Sequence, residues 1–177
     1  MISHETRRII RERANFSCEY CGVSETEAGG ELTIDHFQPQ SKSGTDELEN
    51  LIYACPRCNL YKGDYFPEND SDIPLWNPRV EADDQHFLLL ASGKLSPFTA
   101  IGNFTIQRLR LNRSPLIEHR RQKQIQEEEK RLISEYQDLV ELLMRESETQ
   151  VLLSEQQQKL LQEQQRLLKK LFDLENK

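Results

Sequence analysis

The sequence contains neither an apolar run long enough to cross a membrane nor an apolar leader. No window of its 177 residues approaches the roughly 18 consecutive apolar residues that a transmembrane helix needs. The N-terminal segment MISHETRRIIRER is charged where a secretory signal would be apolar. From these two absences we expect a cytoplasmic protein with no membrane partner.

Apolar residues are also few, and negative charge is in excess. The chain is 36% hydrophobic and 30% charged, so we expect a compact core in only part of it. The formal net charge of −7 argues against strong, indiscriminate binding to nucleic acid. Net charge does not describe local patches, however, and arginines cluster in residues 7–13 and 108–121.

Cysteine is scarce, and the four that occur form two CxxC pairs, Cys18/Cys21 and Cys55/Cys58. Disulfides are rare in a reducing compartment, which leaves metal binding as the expected role of the four thiols. Two CxxC pairs are typical of a tetrahedral thiolate site in which each pair supplies two ligands. We therefore predict a structural zinc ion, Zn²⁺, bound by all four cysteines.

Short β-favouring segments lie between the cysteine pairs. Residues 32–34 predict a strand that leads into Asp35 and His36, and residues 51–54 predict a second strand that delivers the second pair. The intervening stretch is rich in proline, serine, glycine and charge, as loops are. A helix is expected to begin at Asn59.

The part of the chain after Pro67 predicts a smaller extension. Residues 86–91 and 94–99 are expected to form a β-hairpin around Ser92-Gly93. Asn103 is a candidate cap for a short helix that would follow this hairpin.

Glycine and proline are both absent from residue 116 to the end. This stretch predicts helix and carries leucine or isoleucine at heptad spacing, interrupted by Glu146: Ile125, Leu132, Leu139, Leu153, Leu160, Leu167 and Leu174. Ser147-Glu148-Thr149-Gln150 matches a capping box, so we expect two antiparallel helices, with one long helix as the alternative. Either form leaves a leucine seam that packs on its own domain, on another copy or on a second protein.

The stretch from Cys18 to Tyr65 contains, in order, the segments CEYCG, LTIDHFQP, ENL and ACPRCNLYKGD. It resembles the HNH endonuclease family, particularly the branch whose core is held by two CxxC pairs. The 33 residues 22–54 between the pairs exceed the roughly 15–20 of an ordinary zinc ribbon, and leave room for a hairpin and loop.

The resemblance implies an α+β fold with a small ββα-metal (HNH) core. We expect three parts: the nuclease core with its zinc site (1–66), a hairpin/helix extension (67–115) and a coiled-coil-like helix or helical hairpin (116–177). Residues 75–121 look like an extension that follows this core in some family members.

The resemblance also implies the site chemistry. Phosphodiester hydrolysis needs a base to deprotonate water and a cation to neutralise charge on the phosphate. His36 matches the family's general base, and Asp35 and Asn59 match its ligands for a divalent cation, Mg²⁺ or another. Asn50 matches the middle asparagine of the signature, which holds the loop and orients the base.

Basic residues are the candidates for DNA contact. Lys62 follows Asn59 by one helical turn and is expected either to contact phosphate or to be a solvated surface lysine. Arg108, Arg110 and Arg113 would suit phosphates that flank the cut, or would be exposed helix charges.

Three functional hypotheses follow. The first is a metal-dependent DNA endonuclease, and the second is a catalytically inactive, zinc-stabilised module that binds nucleic acid or protein. The third, compatible with the first, is the effector of a prokaryotic antiviral defence or restriction system. Its C-terminal helices would dock on a sensor or ATPase.

Overall fold

The computed structural model describes residues 2–175, with side chains up to residue 169. Its helices are α1 (His4–Arg13), α2 (Glu25–Ala28), α3 (Pro56–Lys62), α4 (Ala100–Arg108) and α5 (Ser114–Glu175), and its strands are β1 (Thr33–His36), β2 (Leu51–Ala54), β3 (Phe87–Leu89) and β4 (Leu95–Pro97). The expected α+β class, with a small hairpin core and a long C-terminal helix, is confirmed.

Strands β1 and β2 pair antiparallel, with Thr33 opposite Ala54 and His36 opposite Leu51. All four residues of β2 are buried, because the strand lies in the centre of the core. Helix α3 follows directly, with Cys55 as its N-cap and Pro56 in its first turn, where the missing amide hydrogen costs nothing. The helix therefore begins three residues before Asn59, which lies inside it.

The second sheet is the expected hairpin, with β3 and β4 paired antiparallel from Phe87–Pro97 to Leu89–Leu95. Gly93 turns the hairpin at φ +80°, and a Cβ there would lie 2.2 Å from the Ile117 carbonyl oxygen. Both the backbone conformation and the available space therefore require glycine at this position. Trp76 packs edge-on against Phe87 at 5.3 Å and against Tyr20 at 6.4 Å between ring centroids, which joins this hairpin to the core.

Helix α4 is capped by Thr99 and not by Asn103. The Thr99 side chain accepts from the Gly102 amide, so the helix begins at Ala100. Asn103 is exposed within the helix, where its side-chain oxygen accepts from Gln107. The sequence-based choice of cap was wrong because Thr99 and Asn103, four residues apart, can each begin a helix in this part of the chain.

Helix α5 is continuous from Ser114 to Glu175, so the preferred expectation of two antiparallel helices was wrong. The Thr149 hydroxyl, part of the apparent capping box, donates to the Arg145 carbonyl one turn earlier, 2.9 Å away. Side-chain bonding of this kind is compatible with a helix interior. Residues 147–150 therefore lie inside a continuous helix and do not cap a helix end.

The chain divides into two compact units, Met1–Ile125 and Gln126–Lys177. In the second, the seam leucines 132, 139, 153, 160 and 167 are between 51% and 61% exposed. Leu174, the last seam position, lies outside the residues whose side chains are described. In the described part of the chain, no helix has the apolar length that crossing a bilayer requires.

Candidate active site and metal centre

The four cysteines converge on one point beside the first sheet. All are buried and unpaired by disulfides, and their sulfur atoms lie within 4.8 Å of one another. The first pair lies on the turn after α1, and the second lies at the start of α3, where Cys55 Sγ accepts from the Cys58 amide. The folded chain thus forms a cluster that can bind a metal ion.

The spacing and chemistry of this cluster fit zinc. The Cys21 and Cys55 sulfurs are 3.7 Å apart, and a tetrahedron with Zn–S bonds of about 2.3 Å requires sulfurs roughly 3.8 Å apart. Hydrogen bonds among the four thiols lower the pKa of the Cys55 and Cys21 thiols and raise the pKa of Cys18 and Cys58. A thiolate is the form that binds metal.

Arg113 lies beside this cluster, although the sequence suggested it for DNA contact. Burial alone would lower the pKa of its guanidinium, but the cysteine groups at 58, 21 and 55 raise it overall. Its Nη1 also donates to the carbonyl oxygens of Leu109 and Arg110, each 3.2 Å away. A half-buried arginine in this position would offset the negative charge of four thiolates if the cluster bound a metal ion.

Strand β1 and helix α3 face each other through two pairs of side chains. The Asn59 amide nitrogen donates to the Thr33 hydroxyl (3.2 Å), and the Lys62 ammonium lies 3.2 Å from Asp35 Oδ2. Thr33 and Asp35 share one face of the strand because side chains alternate along it. Asp35 and Asn59, the two expected metal ligands, are thus on facing surfaces of β1 and α3.

The Asp35 carboxyl group is nearly enclosed, with its side chain 11% exposed. Burial raises its pKa above the ordinary value, and the neighbouring Lys62 ammonium partly opposes this shift. Lys62 donates a hydrogen bond to the Oδ1 atom at 3.5 Å, whereas the buried Oδ2 atom, 3.2 Å from the same ammonium, accepts no hydrogen bond from the described residues. A buried carboxylate on the strand face that lies against α3 offers the oxygen ligands that a hard divalent cation prefers, and the Lys62 ammonium is its countercharge when no cation is bound.

Lys62 is fully buried, so it is not the solvated surface lysine that was one of its two expected roles. Its ammonium donates to the carbonyl oxygens of His36 (2.7 Å) and Gly63 (3.3 Å) besides approaching Asp35. Burial lowers the pKa of this ammonium, and Asp35 opposes that shift. Because its side chain is fully buried, Lys62 cannot contact a phosphate in this structure.

His36 points away from Asp35, as consecutive strand residues do. Its side chain is 17% exposed, and its Nε2 lies 2.7 Å from Asp46 Oδ1 in the loop between the strands. Gln40 donates to the same carboxylate oxygen at 2.9 Å. The imidazole is therefore held by a partner but remains partly open to solvent.

Asn50 closes the loop that carries Asp46. Its amide nitrogen donates to the carbonyl oxygens of Gln38 (3.0 Å) and Thr45 (2.8 Å), and its side-chain oxygen accepts from the Gln38 amide (2.8 Å). These three bonds join the start and end of the loop.

The remaining arginines differ in their surroundings. Arg108 is half-buried, donates to the Lys62 carbonyl oxygen at 3.0 Å and stacks over Tyr65. Arg110 is exposed and lies over Tyr61, 4.7 Å from the ring centroid. Of the three arginines suggested for DNA contact, Arg110 alone is exposed.

Reasoning from sequence missed Asp46 as the partner of His36 and missed the burial of Lys62. The nine residues 37–45 between His36 and Asp46 follow no helical or strand period that would indicate contact. A signal did exist for Lys62, since i and i+3 positions share a helix face and would place it with Asn59 towards β1.

Comparison with known proteins identifies the segment that contains these side chains. Residues 18–65 match the model of the HNH endonuclease family. This segment is therefore similar to an HNH endonuclease domain. It includes the four cysteines, both strands of the first sheet and α3.

The matched segment is also similar to a curated protein. The chain is 42% identical over 53 residues to the CRISPR-associated endonuclease Cas9 of Corynebacterium diphtheriae. The matched region is 29% of this chain but 5% of that protein, so the chain spans about one-twentieth of the relative's length. No solved structure matches the chain.

Proposed function

We propose that the protein is a metal-dependent endonuclease that hydrolyses DNA phosphodiester bonds. The observation that carries the proposal is the arrangement at the end of β1. There, a partly exposed imidazole and a buried carboxylate are consecutive residues, and the carboxylate faces the Asn59 helix within an HNH domain.

In this proposal His36 is the general base. Its imidazole is open to solvent on one side and accepts the proton of the water that attacks phosphorus. Asp35 and Asn59 hold the divalent cation, Mg²⁺ or another, through carboxylate and amide oxygens. Such a cation, when bound, neutralises charge on the phosphate and on the leaving oxygen.

Structural elements around the site have supporting roles in the proposal. The four-cysteine cluster binds Zn²⁺ and fixes the start of α3, which sets the position of Asn59. Asn50 holds the loop between the strands, and exposed Arg110 contacts phosphates that flank the cut. The reducing cytoplasm would keep the thiols available as ligands.

The decisive experiment is incubation of supercoiled plasmid with the zinc-loaded protein and Mg²⁺ or Mn²⁺. His36→Ala should reduce cleavage by about 10²–10⁴-fold, the usual contribution of a general base. His4→Ala is the matched control, because His4 is an exposed histidine on α1 and should leave the rate unchanged.

Equal cleavage by the parent protein and His36→Ala would contradict the proposal. No cleavage by the parent with any divalent ion, together with retained zinc, would instead favour a catalytically inactive module that binds nucleic acid or protein. Parallel assays on single-stranded and double-stranded DNA identify the preferred substrate.

We infer further that α5 recruits another polypeptide through its exposed leucine seam. The partner is a second copy of this chain, or a sensor or ATPase of a prokaryotic antiviral defence or restriction system. Support comes from the heptad spacing of side chains that are more than half exposed. A coiled coil would bury this seam, and its partner would supply specificity for particular DNA sites.

A further inference from the structure

We propose that Asp46 is the positioning residue that orients the imidazole of His36 for proton transfer. The inference rests on the proposed role of His36 as general base. It concerns a side chain outside the H-N-H signature residues, in the loop between β1 and β2.

The hydrogen bonds at Asp46 determine which imidazole nitrogen carries the proton. Asp46 Oδ1 lies 2.7 Å from His36 Nε2 and also accepts from the Gln40 amide nitrogen at 2.9 Å. An ionised carboxylate can only accept hydrogen bonds, so Nε2 must be the donor. The bonds from His36 and Gln40 hold the pKa of Asp46 below its ordinary value, which keeps the group ionised.

The other imidazole nitrogen is then available for chemistry. With the proton of a neutral ring on Nε2, Nδ1 retains its lone pair, and no described residue is hydrogen-bonded to it. The side chain of His36 is 17% exposed, so water can approach. Asp46 thus leaves a base with one nitrogen fixed and the other free.

The loop is built to hold Asp46 in place. Asn50 donates to the carbonyl oxygen of Thr45, the residue directly before Asp46, at 2.8 Å. At Gly44 a Cβ would lie 1.8 Å from the Gln38 carbonyl oxygen, so the loop closes too tightly there for any side chain. Asn50 therefore acts on His36 through Thr45 and Asp46, a physical route for the role that the resemblance implies.

The exposure of Asp46 indicates whether its charge or its hydrogen-bond geometry has the larger effect on His36. Its side chain is 46% exposed, and water screens an ion pair at such a position to a small fraction of its buried strength. Hydrogen-bond direction is not weakened in this way, because it depends on contact geometry. The contribution of Asp46 is therefore orientation and tautomer choice more than charge.

The test compares Asp46→Ala, Asp46→Asn and Glu47→Ala in the full-length, zinc-loaded protein. Glu47 is the matched control, because it is the adjacent acidic residue, is exposed and forms no ion pair within the described chain. We expect Asp46→Ala to lower kcat about 10–100-fold with KM, zinc content and Tm unchanged. Asp46→Asn retains an acceptor oxygen and should recover part of the loss, while Glu47→Ala matches the parent.

A second readout does not depend on cleavage. Nitrogen-15 NMR of the histidine rings, with His36 assigned by difference from His36→Ala, should show the Nε2–H tautomer in the parent protein. Asp46→Ala should give a mixture of both tautomers. An unchanged tautomer in Asp46→Ala overturns the inference, even if the parent proves not to cut DNA.

Kinetic measurements can also overturn the inference that Asp46 positions His36. Cleavage by Asp46→Ala at the parental rate would exclude a positioning role. A loss accompanied by lower Tm, by zinc release or by a rise in KM alone would assign Asp46 to loop stability or substrate binding instead.

Discussion

The Lys62 ammonium is enclosed by the Asp35 carboxylate and by the carbonyl oxygens of His36 and Gly63. A buried charge is tolerated when an opposite charge and hydrogen bonds replace its lost hydration. Lys62 therefore joins α3 to β1 and supplies the positive charge that Asp35 needs when no metal ion is bound.

At the residue scale, Lys62→Met should be strongly destabilising. The substitution fills similar volume but leaves the Asp35 carboxylate buried without its countercharge, a change that costs about 3–5 kcal/mol. Urea unfolding of the zinc-loaded protein measures the free energy of unfolding. Asp35→Asn in the Lys62→Met background should restore part of it, because the uncompensated charge is then gone.

Lys42→Met is the control for this prediction. Lys42 also forms an ion pair, with Glu68 at 2.8 Å, but the Glu68 side chain is 68% exposed. An exposed pair contributes about 0–1 kcal/mol. Equal losses from the two lysine variants would show that the burial of Lys62 has no energetic consequence.

At the element scale, the start of α4 distinguishes two polar residues that are four positions apart, Thr99 and Asn103. Thr99→Ala removes the side chain that accepts from the Gly102 amide, and also the hydroxyl 2.7 Å from His86 Nδ1. We expect a loss of about 1–2 kcal/mol of unfolding free energy, the usual effect of deleting a helix cap. Thermal and urea unfolding measure it.

Asn103→Ala is the comparison, because the sequence favoured Asn103 as the cap. Its side chain is exposed and is bonded only to Gln107 among the described residues. The change should be neutral or slightly stabilising, since alanine is the better helix former. A larger loss from Asn103→Ala than from Thr99→Ala would contradict the observed helix start.

At the scale of the whole molecule, the position of a truncation decides what remains folded. Leu116 is 3% exposed, and Arg120 donates to the carbonyl oxygens of Gly93 and Leu111, each at 2.7 Å. The first turns of α5 thus belong to the compact unit Met1–Ile125. A chain ending at residue 125 should retain metal content and Tm, whereas one ending at 115 should lose stability.

The same truncation tests the leucine seam. Light scattering after gel filtration should give a mass above that of the monomer for the full chain if the partner is a second copy, and the monomer mass for residues 1–125. A full chain that is monomeric leaves the sensor or ATPase as the partner. A chain 1–125 that associates as strongly as the full chain would exclude the seam as the interface.

The order of elements and the cysteine cluster could be predicted from sequence because each depends on local spacing. Two CxxC pairs, two short β-favouring segments and a stretch without glycine or proline indicated the metal cluster, the hairpin and the C-terminal helix. The break in that helix was predicted wrongly, because a capping sequence indicates a helix end only where the chain actually turns. The division at residues 66 and 115 stays a prediction.

The sequence by itself determined that an imidazole, a carboxylate and an amide stand within a four-cysteine frame, since a folded chain cannot change their order or spacing. Only the tertiary structure decided that Lys62 is buried against Asp35 and that Asp46 bonds to His36. Such pairs join residues from a strand, a loop and a helix. Their distances depend on how loop closure and packing bring these elements together, and no local pattern records that information.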